Sequence, residues 1–246
     1  MNFLFIFLMA LNVFPFPPAF KPEQLKYPRV QQAYAEKENE MIRLLDTKGI
    51  KPGTVEIFLR IFKQERKIEL WARNKGDRAF IYLKDYAFCA YSGTLGPKRR
   101  QGDGQIPEGF YEVKGFNPSS NFWLSLELNY PNAADRILGD KSNLGGEIFI
   151  HGNCVTIGCI PITDDKIKEL YIIAVEACNN GQLHIPVHIF PDYLTDEKLA
   201  DLSSRHAAEP GLVSFWKNLK TGYDRFDQTK VLPEVSIDKN GVYHFK

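Results

Sequence analysis

Between residues 55 and 128 the chain is a succession of short runs rich in β-branched and aromatic residues, cut apart by Gly, Asn and Pro. The runs are 55–62, 67–72, 79–91, 109–115 and 122–128. Segments of this length and composition suit a pleated, half-buried surface, so they predict strands. Residues 145–150 add a strand ending at His151, and 184–190 another. Helical spacing occurs in three places. Val30, Ala33, Tyr34, Met41, Leu44 and Leu45 form one apolar stripe, stopped by Gly49. Thr163 offers an N-cap, with Asp164 and Asp165 where the helix dipole favours acids. Ile167, Leu170, Tyr171, Ala174, Val175 and Cys178 then make a buried stripe that ends at Asn179-Asn180-Gly181. Residues 212–223 read as a third helix, and 235–245 as a terminal hairpin about Lys239-Asn240-Gly241. The fold class is therefore mostly β with flanking helices, α+β.

With 31 basic and 30 acidic side chains the net charge is +1. Nucleic acid and anionic lipid select a basic excess, so neither is an expected partner. There are no repeats and no low-complexity linker. The expected division is a signal peptide over 1–20, a leading helical segment over 21–50, a catalytic domain over 51–195, and a helical extension with hairpin over 196–246. The signal reading rests on the uncharged first 20 residues and the apolar run 3–13, followed by Pro15, Pro17 and Pro18. Eleven apolar residues fall short of the ~20 a spanning helix needs, so no membrane span is expected. Export to the periplasm or cell envelope follows, with cleavage between Phe14 and Lys26.

The chemistry concentrates in Ile148-Phe149-Ile150-His151-Gly152-Asn153-Cys154-Val155-Thr156-Ile157-Gly158-Cys159-Ile160-Pro161. Gly158 frees the backbone before Cys159, which stands four residues ahead of an N-cap, on a strand-to-helix connection where loops carry function. A histidine at a strand end eight residues earlier can return to touch it. A Cys–His pair suits acyl transfer, because the imidazole takes the thiol proton and then returns it to the leaving amine. Backbone amides at Gly158 and Cys159 are candidates for holding the oxyanion. Three alternatives stand beside this reading. One is a disulfide, Cys154–Cys159 or Cys89–Cys178. Another is a zinc site from His151, Cys154, Cys159 and Cys178, although H-x2-C-x4-C matches none of the usual paired spacings. The third makes His188 the base. His184 and His188 otherwise read as edge or packing residues of a strand. No metal or cofactor is required.

These motifs resemble the YkuD-type L,D-transpeptidases, and within them the YafK-like murein L,D-transpeptidase branch. Beyond the His-Gly and Gly-x-Cys elements, Leu95-Gly96-Pro97-Lys98 and Gly102-Asp103-Gly104-Gln105-Ile106-Pro107-Glu108-Gly109-Phe110-Tyr111 look like the family's Gly- and Pro-containing signature. Tyr130-Pro131-Asn132-Ala133-Ala134-Asp135-Arg136, Ile185-Pro186-Val187-His188-Ile189-Phe190-Pro191 and Phe215-Trp216-Lys217-Asn218-Leu219 are similar to further segments of that branch. The resemblance covers roughly residues 55–226. It implies a twisted β-sandwich with Cys159 as nucleophile, His151 as base, the Gly152 carbonyl orienting the imidazole, and peptidoglycan stem peptides as substrate. It also leaves a hydrolytic variant open, an L,D-carboxypeptidase or an amidase releasing a wall-linked lipoprotein, as well as a wall-binding protein without turnover. Ile160-Pro161 stands where the family usually has a hydrophobic-Arg pair. A carboxylate clamp would then fall to Lys98, Arg99, Arg100 or Arg136, at least two of which read as solvated surface.

Overall fold

The computed structural model describes residues 20–246. The apolar run 3–13, and with it the expected export signal, lies outside the described residues. Helices α1 (Phe20–Gln24) and α2 (Pro28–Asp46) lead into a 3-10 turn at Pro52–Thr54. Strands β1 (Val55–Phe62), β2 (Lys67–Asn74), β3 (Ile81–Ala87), β4 (Gly109–Asn117) and β5 (Ser125–Leu128) follow. Next come α3 (Ala133–Leu138), β6 (Phe149–His151), β7 (Ile160–Pro161), α4 (Asp164–Asn179) and β8 (Ile185–Phe190). The chain closes with α5 (Asp196–Arg205), α6 (Pro210–Thr229) and a hairpin of β9 (Val235–Ile237) and β10 (Tyr243–Phe245).

β1 to β8 form one mixed sheet in the order β3-β2-β1-β8-β4-β5-β6-β7. The β1/β8 and β6/β7 pairs are parallel and the other pairs antiparallel. The sheet curls until its two edges meet. The Cys89 N–H, just past β3, donates to the Pro161 carbonyl of β7 at 3.0 Å, and Lys166 Nζ donates to the Ala87 carbonyl at 3.1 Å.

The alternation along β1 shows why both faces are covered. Val55, Ile57, Leu59 and Ile61 join the core around α4, whereas Phe58 and Phe62 point to the opposite face. A strand buried on both sides reads as a continuous apolar run. α4 buries more than its expected stripe, with Ile172, Ile173 and Ala177 also inside. Its second side is capped by α2, through Val30, Ala33, Tyr34, Met41 and Leu45. Glu176 fixes that contact by accepting from the Tyr34 hydroxyl at 2.9 Å and pairing with Lys21 at 2.6 Å. On the other face, Trp216, Leu219 and Tyr223 of α6 pack on Phe62, Phe110 and Phe190. Phe226 packs on Phe58 and Trp71. Each such side chain removed from water contributes roughly 1.5–3 kcal/mol.

Three strands are shorter than the pattern predicts. Beyond Ala87 the chain leaves β3 toward β7, and ahead of β5 a turn at Ser120 and a left-handed Trp123 (φ 74°) break the extension. Glu147 (φ 55°) delays β6 in the same way. α3 is not among the expected elements, and α5 lies within the helical extension expected over 196–246, ahead of the helix read at 212–223. Asn132 and Asp135 cap α3 reciprocally, and Thr195 caps α5 by accepting from the Lys198 N–H.

The segment from Leu95 to Glu108 has little regular structure and is held from beneath. Lys63, at the end of β1, and Glu108 are fully buried and lie 2.9 Å apart. Lys63 Nζ also donates to the Gly96 and Ile106 carbonyls at 2.7 and 2.9 Å. Glu108 accepts from the Gly96 N–H at 2.7 Å and from Trp216 Nε1 at 2.8 Å. Burial pulls the Lys63 pKa down, opposed by the Glu108 charge. Removing one partner strands the other charge, at a cost of about 3–5 kcal/mol. Glu108→Gln and Lys63→Met should each lower the urea midpoint by that equivalent. A combined Lys63→Met/Glu108→Leu variant should lose less than the sum of its single changes.

Candidate active site

β6 delivers His151 at its C-terminal end, opposite Ser125 of β5. The turn that follows requires glycine at 152, since a Cβ there would sit 2.6 Å from Asp164 Oδ1 and 2.8 Å from the Phe122 carbonyl. The same Asp164 oxygen accepts from the Asn153 N–H at 2.7 Å and anchors the loop to the start of α4. Cys154 is then bonded to Cys89. The disulfide alternative, Cys154–Cys159 or Cys89–Cys178, is thereby corrected: the pair is Cys89–Cys154, because the curl brings the exit of β3 against this loop, and Cys159 and Cys178 are free. The zinc alternative loses its ligands as well. Cys154 is committed to Cys89, Cys178 is buried on α4, and no metal-holding group of His, Cys, Asp and Glu occurs among the described residues.

Val155 and Ile157 form the loop's exposed apolar tip, Ile157 being 89% exposed. Thr156 folds the return. Its hydroxyl donates to the Cys159 carbonyl at 2.7 Å and accepts from the Gly158 N–H at 3.2 Å. Of the two amides expected to face an oxyanion, the one at Gly158 is thus already engaged. Gly158 adopts φ 129°, and a Cβ there would meet the Gln105 carbonyl at 3.1 Å, so the residue before Cys159 lies against the 95–108 segment.

The parallel β6/β7 register sets Ile150 beside Ile160 and His151 beside Pro161, which brings Cys159 level with Phe149. Ile150 and Ile160 enter the core around α4. Side chains two apart share a strand face, so Cys159 and His151 share the face turned away from α4. They are offset by one strand spacing of about 4.8 Å and a two-residue rise of about 6.6 Å. The imidazole is buried, with Nδ1 bonded to the Gly152 carbonyl at 2.5 Å and the Phe122 ring 4.5 Å away at 31°. With the Nδ1 proton directed at a carbonyl, Nε2 carries the free lone pair. The thiol of half-buried Cys159 donates to the Glu147 carbonyl at 3.6 Å rather than to the imidazole.

Both groups rest uncharged. Burial lowers the His151 pKa, against the effect of the Gly152 carbonyl. Burial raises that of Cys159, opposed by the Phe149 backbone and the Lys98 charge and reinforced by Glu147. The basic candidates divide clearly. Lys98 is buried, donating to Asp103 at 2.6 Å and to the Arg100 carbonyl at 2.8 Å. Arg99 pairs with Asp135 at 3.3 Å and lies over the Phe215 ring, while Arg100 and Arg136 are exposed. His188 sits three strands from His151, enclosed between Phe58 and Phe110 at 4.5 and 4.6 Å, its pKa pushed well down by burial and by Arg60. Phe122 and Glu147 were missed in the sequence, since neither a ring over the imidazole nor a carbonyl facing the thiol leaves a spacing signature.

The model of the YkuD L,D-transpeptidase catalytic domain matches residues 58–189, which run from within β1 to within β8 and include His151, Gly152, Gly158 and Cys159. This chain belongs to the YkuD L,D-transpeptidase family. Among curated members it is 39% identical over 189 residues to YafK of Escherichia coli strain K12, named as an inferred L,D-transpeptidase. That match covers 76% of this chain and 72% of YafK. The YafK protein of strain O157:H7 matches equally. Among solved structures it is similar to the helical cell shape determining protein Pgp2 of Campylobacter jejuni (TM-score 0.45, 16% identity, 81% and 80% of the two chains). Bd1075 of Bdellovibrio bacteriovorus gives a TM-score of 0.40 at 19% identity over 76% of each chain.

The arrangement sets an expectation for thiol chemistry. In the native YkuD-family chain, iodoacetamide should label Cys159 and spare buried Cys178, at a rate still rising where an ordinary thiol, of pKa 9.0, has levelled off. Peptide mass mapping across a pH series reads this directly. Equal labelling of both cysteines would contradict the described burial.

Proposed function

We propose that the protein is a cysteine-dependent L,D-transpeptidase acting on peptidoglycan stem peptides in the cell envelope. The observation that carries the reading is the register placing the free Cys159 thiol on one sheet face with a buried imidazole whose Nδ1 is fixed by Gly152. Sγ attacks the carbonyl carbon of the third stem residue, at the L-centre of diaminopimelate or its equivalent, as its proton passes to His151 Nε2. The resulting oxyanion is met by the Cys159 N–H, the Gly158 N–H being held by Thr156. Collapse breaks the C–N bond, and the imidazolium returns the proton to the departing D-alanine amine. An amine acceptor then attacks the thioester, the C–S bond breaks, and the amine proton returns to sulfur through the imidazole. Water in place of the amine gives the hydrolytic products. Lys98 supports a transient thiolate electrostatically. The Cys89–Cys154 bond suits an oxidising compartment. No helix among the described residues is long and apolar enough to cross a membrane.

Muropeptide analysis with purified protein tests the reading through 3→3 cross-links, tripeptides or released lipoprotein. Mass spectrometry after carbapenem exposure should show one adduct, on Cys159. Cys159→Ala should abolish turnover with folding intact, and His151→Ala should lower the rate by about 10²–10⁴. Cys154→Ser should cost much less than Cys159→Ala. The base works only when neutral, and burial keeps His151 neutral below the ordinary imidazole value of 6.5. Activity should therefore persist below pH 6.5 and fall only on further acidification. A wild-type acid limb at or above 6.5 would remove His151 from the role.

A further inference from the structure

Residues 154–157 lead into the nucleophile with few bonds of their own. Among the described residues their hydrogen bonds stay within 153–159: the Cys154 N–H reaches the Asn153 side chain, and the Thr156 hydroxyl serves the Gly158 N–H and the Cys159 carbonyl. Packing adds little, since Val155 and Ile157 are 53% and 89% exposed. What ties this stretch to the body of the protein is Cys89. Its sulfur is bonded to Cys154, and its N–H donates to the Pro161 carbonyl at 3.0 Å. One residue on, the Ile162 N–H donates to the His151 carbonyl at 3.0 Å. The segment 154–161 is thus closed into a ring through Cys89, covalently at one end and by a hydrogen bond at the other, with Cys159 inside it. A short closed ring has far fewer conformations than an open loop pinned at one end. Cys154 is exposed, so a reductant can reach the covalent half of the closure.

We infer that Cys89 is a positioning residue for the transpeptidase reaction: it clamps the 154–161 ring and so fixes where the Cys159 thiol and the Cys159 N–H stand. This rests on the transpeptidase reading above and deepens it by naming what holds the nucleophile, and by making that hold depend on oxidation state. Cys89 touches no reacting atom and acts through its bond to Cys154. The Thr156 hydroxyl grips the Cys159 carbonyl, so opening the bond shifts the thiol together with the amide that meets the oxyanion. Attack geometry suffers from such a shift more than capture of the peptide does, a displacement of about 1 Å costing up to about 10²-fold in rate. Reduction by a phosphine balances as follows. Phosphorus takes the Cys154 sulfur, Cys89 leaves as thiolate, and water converts the thiophosphonium to phosphine oxide, leaving two thiols.

The experiment compares the wild type with Cys89→Ser/Cys154→Ser, a paired change that leaves neither partner free to capture Cys159. Turnover of a tetrapeptide-bearing muropeptide gives kcat and KM, and circular dichroism confirms the fold at the assay temperature. The double variant should lose about tenfold in kcat, with KM within about twofold. Tris(2-carboxyethyl)phosphine should bring the wild type down to the same kcat and leave the variant unaffected. Iodoacetamide should label Cys159 several-fold faster in the variant, because a released thiol is less buried, while Cys178 stays spared. If the serine pair does not fold, Cys89→Val/Cys154→Ala carries the same expectations. Wild-type kcat and wild-type labelling in the variant overturn the inference. Labelling of Cys178 in step with Cys159 overturns it too, since that marks a bond that only stabilises the whole fold. A wild type without turnover removes the transpeptidase reading alone, and the labelling of Cys159 then still decides whether Cys89 holds it.

Discussion

The Lys63–Glu108 pair is the constraint on which the rest of the molecule depends. Two charges with no solvent contact are costly unless their remaining hydrogen-bonding capacity is filled, and here it is filled by backbone from the 95–108 segment and by the Trp216 indole. One interaction therefore ties three things together: the end of β1, the loop that lies against Gly158, and the helix covering the face opposite α4. The position of Gly158, the residue before Cys159, is set through the Gln105 carbonyl, so the electrostatics of a buried pair become the geometry of a loop.

Above that platform the site is organised by withheld charge. Among the described groups near Cys159, the permanent ions are either locked into short pairs, as Lys98 is with Asp103, or left at the rim, as Glu147 is. Burial disfavours the charged form of both the thiol and the imidazole, so in the proposed reaction the ion pair between them is transient. Such a site avoids sustaining a separated thiolate–imidazolium in a desolvated place, and a thiol kept in its protonated form is slower to oxidise or to be alkylated.

Much of this was legible in the sequence. β1 runs over the predicted residues, because its apolar run is bounded by a turn on each side. α4 begins after Thr163 and ends at Asn179, because the cap and the Asn-Asn-Gly stop are local signals. His151, Gly152, Gly158 and Cys159 could be singled out because their chemistry is compressed into nine residues. What escaped was non-local. Cys89 meets Cys154 across 65 residues only because the sheet curls, and no spacing rule encodes that curl. β7, two residues long, exists by pairing alone. Asn132 and Asp135 were visible as a motif whose work is structural: they cap α3, while Asn132 bonds the Phe110 carbonyl and the Tyr243 hydroxyl.

The placement of β8 governs the order in which the chain can assemble. It lies between β1 and β4, parallel to the first and antiparallel to the second, although it is the last strand of the sheet to be synthesised. Without it the preceding strands are two separate pieces, a three-stranded meander of β1 to β3 and a ribbon of β4 to β7, with no strand ladder between them and only the Cys89 contacts to Pro161 and Cys154 where the edges meet. A nascent chain cannot complete the sheet until Phe190 is available, and loop-closure entropy over more than a hundred residues separates β1 from its parallel partner. Closure of the central strand is thus a late event, and the β6/β7 seam that carries His151 and Cys159 at the far edge of the ribbon inherits its rigidity only after that event.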